Sequence, residues 1–425
     1  MKNTAVIILA AGKGLRMCSD LPKALCEISG RPMIELMIDA AEFCKAQKIF
    51  VIGGYKIDLL KQRLLHRNVE VLEQKNLLGS ADAVKAARPR LKDFVGNIVV
   101  LYTDTPLIKK STLKSLLSRH KTSRSDMTLL TGRTADPKDY GRIARDDKGR
   151  VKSIIEYSDL KKKATSDIRQ TICEINIGAY CFSSKKLFEG LGAIKKNKNK
   201  GEYYLTDTLE FFYKKNYKIS AFSTTDEEEM VGINRREELI FGEDVLRRRM
   251  IKKLLLSGVT IIDPKSTFIQ VGAKIGKDTV IYPFVVIARD VVIGRGCGIG
   301  PFAHLRKGVV LKDGARIGNF VEVVRSTLGK GSTAKHLTYL GDTIIAENVN
   351  VGAGAITANY DGKEKHKTII DRGAFIGSGT TMVAPVKIGE GAITGAGSVV
   401  VKGTDVPAKS VVVGVPAKPL KKRQA

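Results

Sequence analysis

The sequence holds no tryptophan, only five histidines and only six cysteines in 425 residues. The cysteines, at 18, 26, 44, 173, 181 and 297, include no CxxC pair, and the histidines complete no zinc pattern. Scattered thiols of this kind read as free cysteines in a reducing compartment, which implies a cytoplasmic protein. No apolar run reaches the roughly 20 residues needed to cross a bilayer, so no membrane span is expected. The early apolar run at 5–11 is too short for the core of a signal peptide and flows into a glycine loop, so it reads as a buried strand. Low-complexity tracts are also missing, and a composition of 43% hydrophobic and 27% charged residues is that of globular domains.

Acidic residues are the scarce charges. Asp and Glu number 44 against 72 Lys and Arg, a formal net charge of +28. Such an excess suits either nucleic acid or small anionic substrates. The basic residues are dispersed, with short runs at 161–163, 195–200, 247–249 and 421–423, and none is interleaved with aromatics as a base-stacking surface would be. The pattern favours anionic substrates and no specific nucleic acid.

What is present falls into two parts. Residues 1–235 alternate β-rich runs at 5–10, 48–52, 98–102, 127–131 and 177–182 with amphipathic stretches such as 33–47 and 80–87. That alternation predicts an α/β layer with a mostly parallel sheet. Residues 241–256 read as a helix stopped by Gly258, within a linker assigned to 236–258. In the remainder, 259–425, apolar residues recur every six positions, at Ile275, Ile281, Ile287, Ile293, Ile299, Leu305, Leu311 and Ile317, and again at Ile370, Ile376, Met382 and Ile388. A helix repeats near 3.6 residues and a strand near two, so this period means one short strand and one corner per repeat. A β-solenoid that buries its core by stacking coils is the expected architecture.

The run Leu9-Ala10-Ala11-Gly12-Lys13-Gly14-Leu15-Arg16-Met17 follows the first β-rich run, with Lys23 just beyond. Its glycines let backbone amides approach a polyphosphate, and Arg16 and Lys23 add positive charge. It is not a Walker loop, and Met17 occupies the third glycine position of a dinucleotide fingerprint. Alone, it reads equally as an ordinary strand-to-helix turn. Asp104 closes the run at 98–102, where open α/β sheets place ligands, although a lone Asp there also reads as a turn cap.

Further motifs decide between these readings. They are Gln74 with Leu78-Gly79-Ser80-Ala81, Tyr102-Thr103-Asp104, Glu174-Ile175-Asn176-Ile177-Gly178 and Val231-Gly232-Ile233-Asn234-Arg235. An interruption of the repeats adds Gly318-Asn319-Phe320-Val321-Glu322, His336-Leu337-Thr338-Tyr339-Leu340-Gly341-Asp342 and Ala358-Asn359-Tyr360-Asp361-Gly362. With these the chain resembles, over essentially its whole length, the bifunctional N-acetylglucosamine-1-phosphate uridylyltransferase/glucosamine-1-phosphate N-acetyltransferase family. The resemblance implies an N-terminal Rossmann-like nucleotidyltransferase domain, a linker helix and a C-terminal left-handed parallel β-helix of hexapeptide repeats, assembled as a homotrimer. It also implies a role in UDP-N-acetylglucosamine supply for peptidoglycan and the cell wall. Acetyl-CoA and glucosamine-1-phosphate give N-acetylglucosamine-1-phosphate, which then reacts with UTP and releases pyrophosphate.

The same resemblance assigns nucleotide and sugar contacts to Leu9, Ala10, Ala11, Gly12, Arg16, Lys23, Gln74, Gly79, Ser80, Tyr102, Thr103, Asp104, Gly141, Glu156, Asn176 and Asn234. Asp104 and Asn234 are the implied Mg²⁺ ligands. A carboxylate and an amide oxygen suit a hard cation that keeps most of its waters. His336 is the implied base of acetyl transfer, a step in which the attacking amine must lose a proton. Arg306, Tyr339, Asn350 and Lys365 are assigned to the acetyl acceptor, and Ala353, Asn359, Tyr360, Ser378 and Ala396 to acetyl-CoA. In the C-terminal tail, Lys418, Lys421, Lys422 and Arg423 are candidates for the coenzyme.

Four positions depart from the family pattern: Thr103 stands for glycine, His304 for arginine, Val324 for a phosphate-binding lysine and Ala358 for cysteine. Strand neighbours point to opposite faces, so unless a corner intervenes Arg325 is expected to face away and leave the phosphate to Arg306 and Lys365. Two other readings stay open. One is a related sugar-1-phosphate nucleotidyltransferase whose solenoid acetylates another amino sugar. The other is a non-catalytic scaffold or polyanion-binding solenoid.

Overall fold

A computed structural model describes residues 3–157, 159, 173–197 and 201–420. The chain forms two compact units, Met1–Val245 and Leu246–Ala425. The helix Arg236–Leu256 carries the chain from the first to the second. Among the described residues no helix is long and apolar enough to cross a membrane. All six cysteines are free.

The first unit is built on the strand Thr4–Ala10, every residue of which is buried. Its side chains alternate between two apolar clusters, with Val6 and Ile8 in one and Ala5, Ile7 and Leu9 in the other. A strand apolar on both faces demands cover on both faces. Helices Met33–Phe43 and Lys110–Thr122 send Ile34, Met37, Leu113 and Leu116 into the first cluster. Helices Ser80–Ala86, Ser184–Ala193 and Asp207–Lys214 send Val84, Leu187 and Leu209 into the second.

The strands lie in the order Ile219–Thr224, Met127–Arg133, Glu174–Ser183, Asn97–Tyr102, Thr4–Ala10, Lys48–Gly53, Glu70–Glu73. All neighbours are parallel except that Glu174–Ser183 runs antiparallel to both of its partners. Thr4–Ala10 lies centrally, so its C-terminal end and that of Asn97–Tyr102 open side by side.

In the second unit three parallel ladders stack coil on coil. Ile281 pairs with Ile299 and Ile299 with Ile317, so one coil is eighteen residues, or three repeats. These isoleucines are at most 2% exposed and share one continuous cluster. The interruption seen in the sequence does not break the stack. Ile317 pairs with Ala334 and Ala334 with Val351, a coil shortened to seventeen. Val351 then pairs with Ile376, and the surplus residues form the loop around the Tyr360–Lys365 bridge. These parallel strands and hexapeptide repeats make a left-handed parallel β-helix.

Candidate functional site

In the first unit a cavity of about 370 Å³ opens where Thr4–Ala10 and Asn97–Tyr102 end. Of the residues expected for the nucleotide, Leu9, Ala10, Ala11, Gly12, Lys23, Gln74, Gly79, Ser80, Tyr102, Thr103 and Asp104 line it. Gly12 is not in the left-handed region, and a Cβ there would meet nothing within 4 Å. No packing demand therefore explains this glycine, and its bare backbone faces open space at the cavity.

Gly79 is different. Its φ is +99°, and a Cβ would stand 2.6 Å from the Tyr203 carbonyl oxygen. The backbone locks the same segment, with Tyr203 N–H donating to Leu78 and Ala81 N–H donating to Tyr203. Gln74 donates through Nε2 to the Gly79 carbonyl (2.9 Å) and to Asp82 Oδ2 (2.8 Å). These two bonds engage both protons of Nε2 and leave the amide oxygen as the accepting group.

The two residues assigned to Mg²⁺ converge on one cation. Lys23 Nζ lies 2.8 Å from Asp104 Oδ2 and 2.6 Å from Asn234 Oδ1. Arg16 Nη2 also donates to Asn234 Oδ1 at 2.8 Å. Ile233 N–H donates to the Asp104 carbonyl at 2.6 Å and joins the two segments. Two hard oxygens aimed at a single positive point are the donor chemistry that suits a hard divalent cation. Among the described residues no group of three His, Cys, Asp or Glu forms a fuller metal cage.

Thr103 is absorbed without disturbing this end. Its N–H and its hydroxyl both donate to the Leu9 carbonyl, at 3.2 and 3.0 Å. The remaining assigned residues lie around Tyr102. Gly178 packs close to the Tyr102 ring, and Tyr180 stands edge-on to it with ring centroids 6.3 Å apart. Asn176 Nδ2 donates to Tyr180 Oη at 2.7 Å, and Asn176 N–H donates to the Gly141 carbonyl. Glu156 Oε1 accepts from Thr206 Oγ1 at 2.8 Å. Burial, together with Glu156 and Asp104, pushes the Tyr102 phenol up. Sequence reasoning missed Lys13, Ala24, Leu77, Ala83 and Glu202 on the cavity wall. Lys13 lay inside a recognised motif, but Glu202 reaches the wall only through long-range pairing at Leu78.

In the second unit His336 and three of the residues assigned to acetyl-CoA, Ala353, Ser378 and Ala396, form a column. The corners after seven successive first-ladder strands, Val280–Ile281 to Ile393–Thr394, each have a left-handed residue: Phe284, Phe302, Phe320 and Leu337, then Gly354, Gly379 and Gly397. Backbone bonds tie successive corners: Leu337 N–H to Asn319, Gly354 N–H to His336, Gly379 N–H to Ala353 and Gly397 N–H to Ser378. His336, Ala353, Ser378 and Ala396, far apart in sequence, thus stand one above another at neighbouring coil spacing, about 4.8 Å. Phenylalanine and leucine tolerate the same positive φ lower in the column, so conformation alone does not require glycine above His336. A Cβ at Gly397 would meet nothing within 4 Å. The column changes from an apolar ridge to a lane bare of side chains at the exposed histidine.

Two acceptor candidates, Arg306 and Tyr339, lie along the adjoining ladder. Tyr339 pairs with Glu322, whose Oε1 lies 2.8 Å from Arg306 Nη1. A Cβ at Gly341 would come 2.7 Å from Tyr339 Oη and 2.8 Å from Asn359 Nδ2, so these two groups meet over a bare backbone. Asn359 Nδ2 also donates to Asp342, whose carboxylate takes Arg325 side-on at 2.6 and 2.7 Å. The Arg325 guanidinium holds that carboxyl below its usual range, and Lys365 adds to the effect. Asn350 is set apart on the first ladder, accepting from Thr333 Oγ1 at 3.1 Å. Tyr360 folds back on its loop through a bond to the Gly362 carbonyl.

The structure corrects one expectation. Val324 is 3% exposed, opposite Gly341 and outside the solenoid's apolar cluster. Arg325 does not continue the strand's alternation. It occupies a corner with φ +47° and presents its guanidinium to solvent beside Asp342. The tail candidates Lys421, Lys422 and Arg423 lie outside the described residues, whereas Lys418 ends the stack in a short antiparallel pair.

Comparison with known proteins agrees with both halves. Residues 6–206 match the MobA-like NTP transferase domain, and residues 272–307 and 290–325 match the bacterial transferase hexapeptide model of six repeats. The bifunctional protein GlmU of Heliobacterium modesticaldum is 42% identical, covering 97% of this chain and 95% of its own. That of Thermotoga maritima is 42% identical over 96% and 95%, and that of Shouchella clausii 39% over 97% and 96%. At such identity over nearly the full length of both chains, this chain belongs to the family of the bifunctional GlmU proteins.

Proposed function

We propose that the chain is a two-reaction enzyme of UDP-N-acetylglucosamine synthesis. The solenoid acetylates glucosamine-1-phosphate with acetyl-CoA, and the N-terminal cavity joins the N-acetylated product to UMP from UTP. The observation that carries the second reaction is the convergence of Asp104 and Asn234 on Lys23 beside the bare backbone of Gly12. A sugar phosphate attacking a triphosphate is an encounter of two anions, so the barrier is largely repulsion and positioning. Arg16 and Lys23 draw both phosphates to the ends of the two central strands, Gly12 admits them, and Gln74 accepts from the base. Asp104 and Asn234 would hold Mg²⁺, which would supply the remaining charge neutralisation. Glu156, Asn176 and Gly141 carry the sugar.

In the solenoid, the lane from Ala353 past Ser378 to Ala396 takes the extended arm of acetyl-CoA and brings its thioester beside His336. His336 accepts the proton of the attacking amine. Arg306, Tyr339 and Lys365 hold the acceptor. Arg325 joins them from its corner as the cation that compensates for Val324. The exposed ladder Phe284, Phe302, Phe320, with ring centroids 4.8 and 5.0 Å apart, is an apolar surface of the kind covered by another subunit, and we read the assembly as a homotrimer. The protein works in the cytoplasm.

Pyrophosphate release measured across a panel of nucleotides and sugar phosphates tests the reading. UTP with N-acetylglucosamine-1-phosphate should be the best pair. A clear preference for another pair would favour a sibling nucleotidyltransferase, and no release with any pair would favour a scaffold.

A further inference from the structure

Glu229 is a carboxylate with no part in the chemistry above, yet it is 1% exposed. Burying a charge is costly unless hydrogen bonds satisfy it. Its partners come from one helix and one strand. Lys109 N–H, at the mouth of helix Lys110–Thr122, donates to Oε1 at 2.7 Å. Thr112 Oγ1, one turn inside that helix, lies 2.7 and 2.9 Å from the two oxygens. Thr224 Oγ1, the last residue of its strand, donates to Oε2 at 2.7 Å. The partners are one backbone amide and two hydroxyls, each able to donate to the carboxylate oxygens.

The placement of these bonds gives them consequence. Asp104 and Lys109 lie on the segment that leads from the central strand into this helix. Glu229 and Asn234 lie on the segment that follows the edge strand. Two rungs join the segments, Lys109 N–H to Glu229 and Ile233 N–H to Asp104. Asn234 and Asp104 stand at the open end of this clasp, where both face Lys23. We infer that Glu229 is a positioning residue for the uridylyl site, a buried clasp that fixes the separation of the Asp104 and Asn234 oxygens. The inference rests on the function proposed for the N-terminal cavity.

The test compares Glu229→Gln, Thr112→Val and Thr112→Ser in the full chain. Glutamine keeps the shape but replaces one acceptor by a donor. Valine removes one hydroxyl and serine restores it. Hydrogen exchange of the peptide containing residues 230–235 should quicken about tenfold in Glu229→Gln and Thr112→Val, the size of one lost hydrogen bond, and remain as wild type in Thr112→Ser. Uridylyl kcat should fall about ten- to a hundredfold, as for an ångström-scale misplacement, with the KM for UTP changed less than about threefold. Acetyl transfer should be untouched. Wild-type exchange in Glu229→Gln or in Thr112→Val would overturn the clasp. So would an equal loss of both activities, which marks general unfolding. If the wild type releases no pyrophosphate from any substrate pair, the reading of the cavity fails, and the exchange rates alone decide whether Glu229 fixes the two segments.

Discussion

Replacing Gly12 by alanine separates ligand binding from folding. A Cβ at residue 12 meets no atom within 4 Å, and the backbone is not left-handed there, so the folded chain accepts alanine without strain. Gly→Ala at a compatible position stabilises by about 0.4–1 kcal/mol, because the unfolded chain loses freedom. Thermal unfolding of Gly12→Ala should therefore match or slightly exceed that of the wild type. The methyl group would stand in the space assigned to phosphate. Losing one hydrogen bond to a charged group costs about 1.5–3 kcal/mol, or roughly ten- to 150-fold in affinity. The assay is pyrophosphate release against UTP concentration, with acetyl transfer followed in the same preparation. A large rise in the KM for UTP, at unchanged melting temperature and unchanged acetylation, is expected. Wild-type UTP dependence would refute the argument, because the space at Gly12 would then hold no phosphate. Gly79→Ala is the contrast, since its methyl would collide with the Tyr203 carbonyl at 2.6 Å and should lower stability along with activity.

His336→Ala should lower acetyl-transfer turnover by about two to four powers of ten and leave uridylyl transfer intact, as measured by thiol release from acetyl-CoA. Burial and the carboxylates of Glu156, Glu210 and Asp159 raise the Asp207 carboxyl to about 6. The folded chain therefore binds this proton more tightly than the unfolded chain, and stability falls as pH rises from about 4 to about 6. Asp207→Asn should accordingly gain roughly 1–2 kcal/mol at pH 8, after allowance for partial exposure, and little at pH 4, as read from denaturant melts. Val324→Lys should raise the acceptor KM, because the side chain at 324 is covered and a lysine must displace the meeting of Tyr339 and Asn359. A lowered KM would show that the cover opens.

The solenoid was legible in the sequence because each coil repeats one demand, an apolar residue at every sixth position, and isoleucine met it many times over. The central strands were legible from runs such as 98–102, but the antiparallel direction of Glu174–Ser183 was not. A strand buried on both faces shows the same apolar pattern in either direction. At the nucleotide site the local motifs were visible, whereas the bond from Ile233 to Asp104 joins residues that no spacing rule relates. His336 was assigned as the base from its motif, but the column that stacks it under Ala353, Ser378 and Ala396 emerges only when coil lengths are known. The corner at Arg325 was not legible, because alternation holds within a strand and fails at a corner. Glu229 gave no signal, since its three partners converge only in the fold.

The central claim is that one chain carries two separate reactions, with Asp104 essential to only one of them. Asp104→Asn, assayed in parallel for pyrophosphate release and acetyl transfer at ordinary Mg²⁺, tests it most directly. The account predicts that pyrophosphate release is abolished and acetyl transfer stays at the wild-type rate. Full uridylyl activity in Asp104→Asn, or loss of both activities in a folded protein, would contradict it.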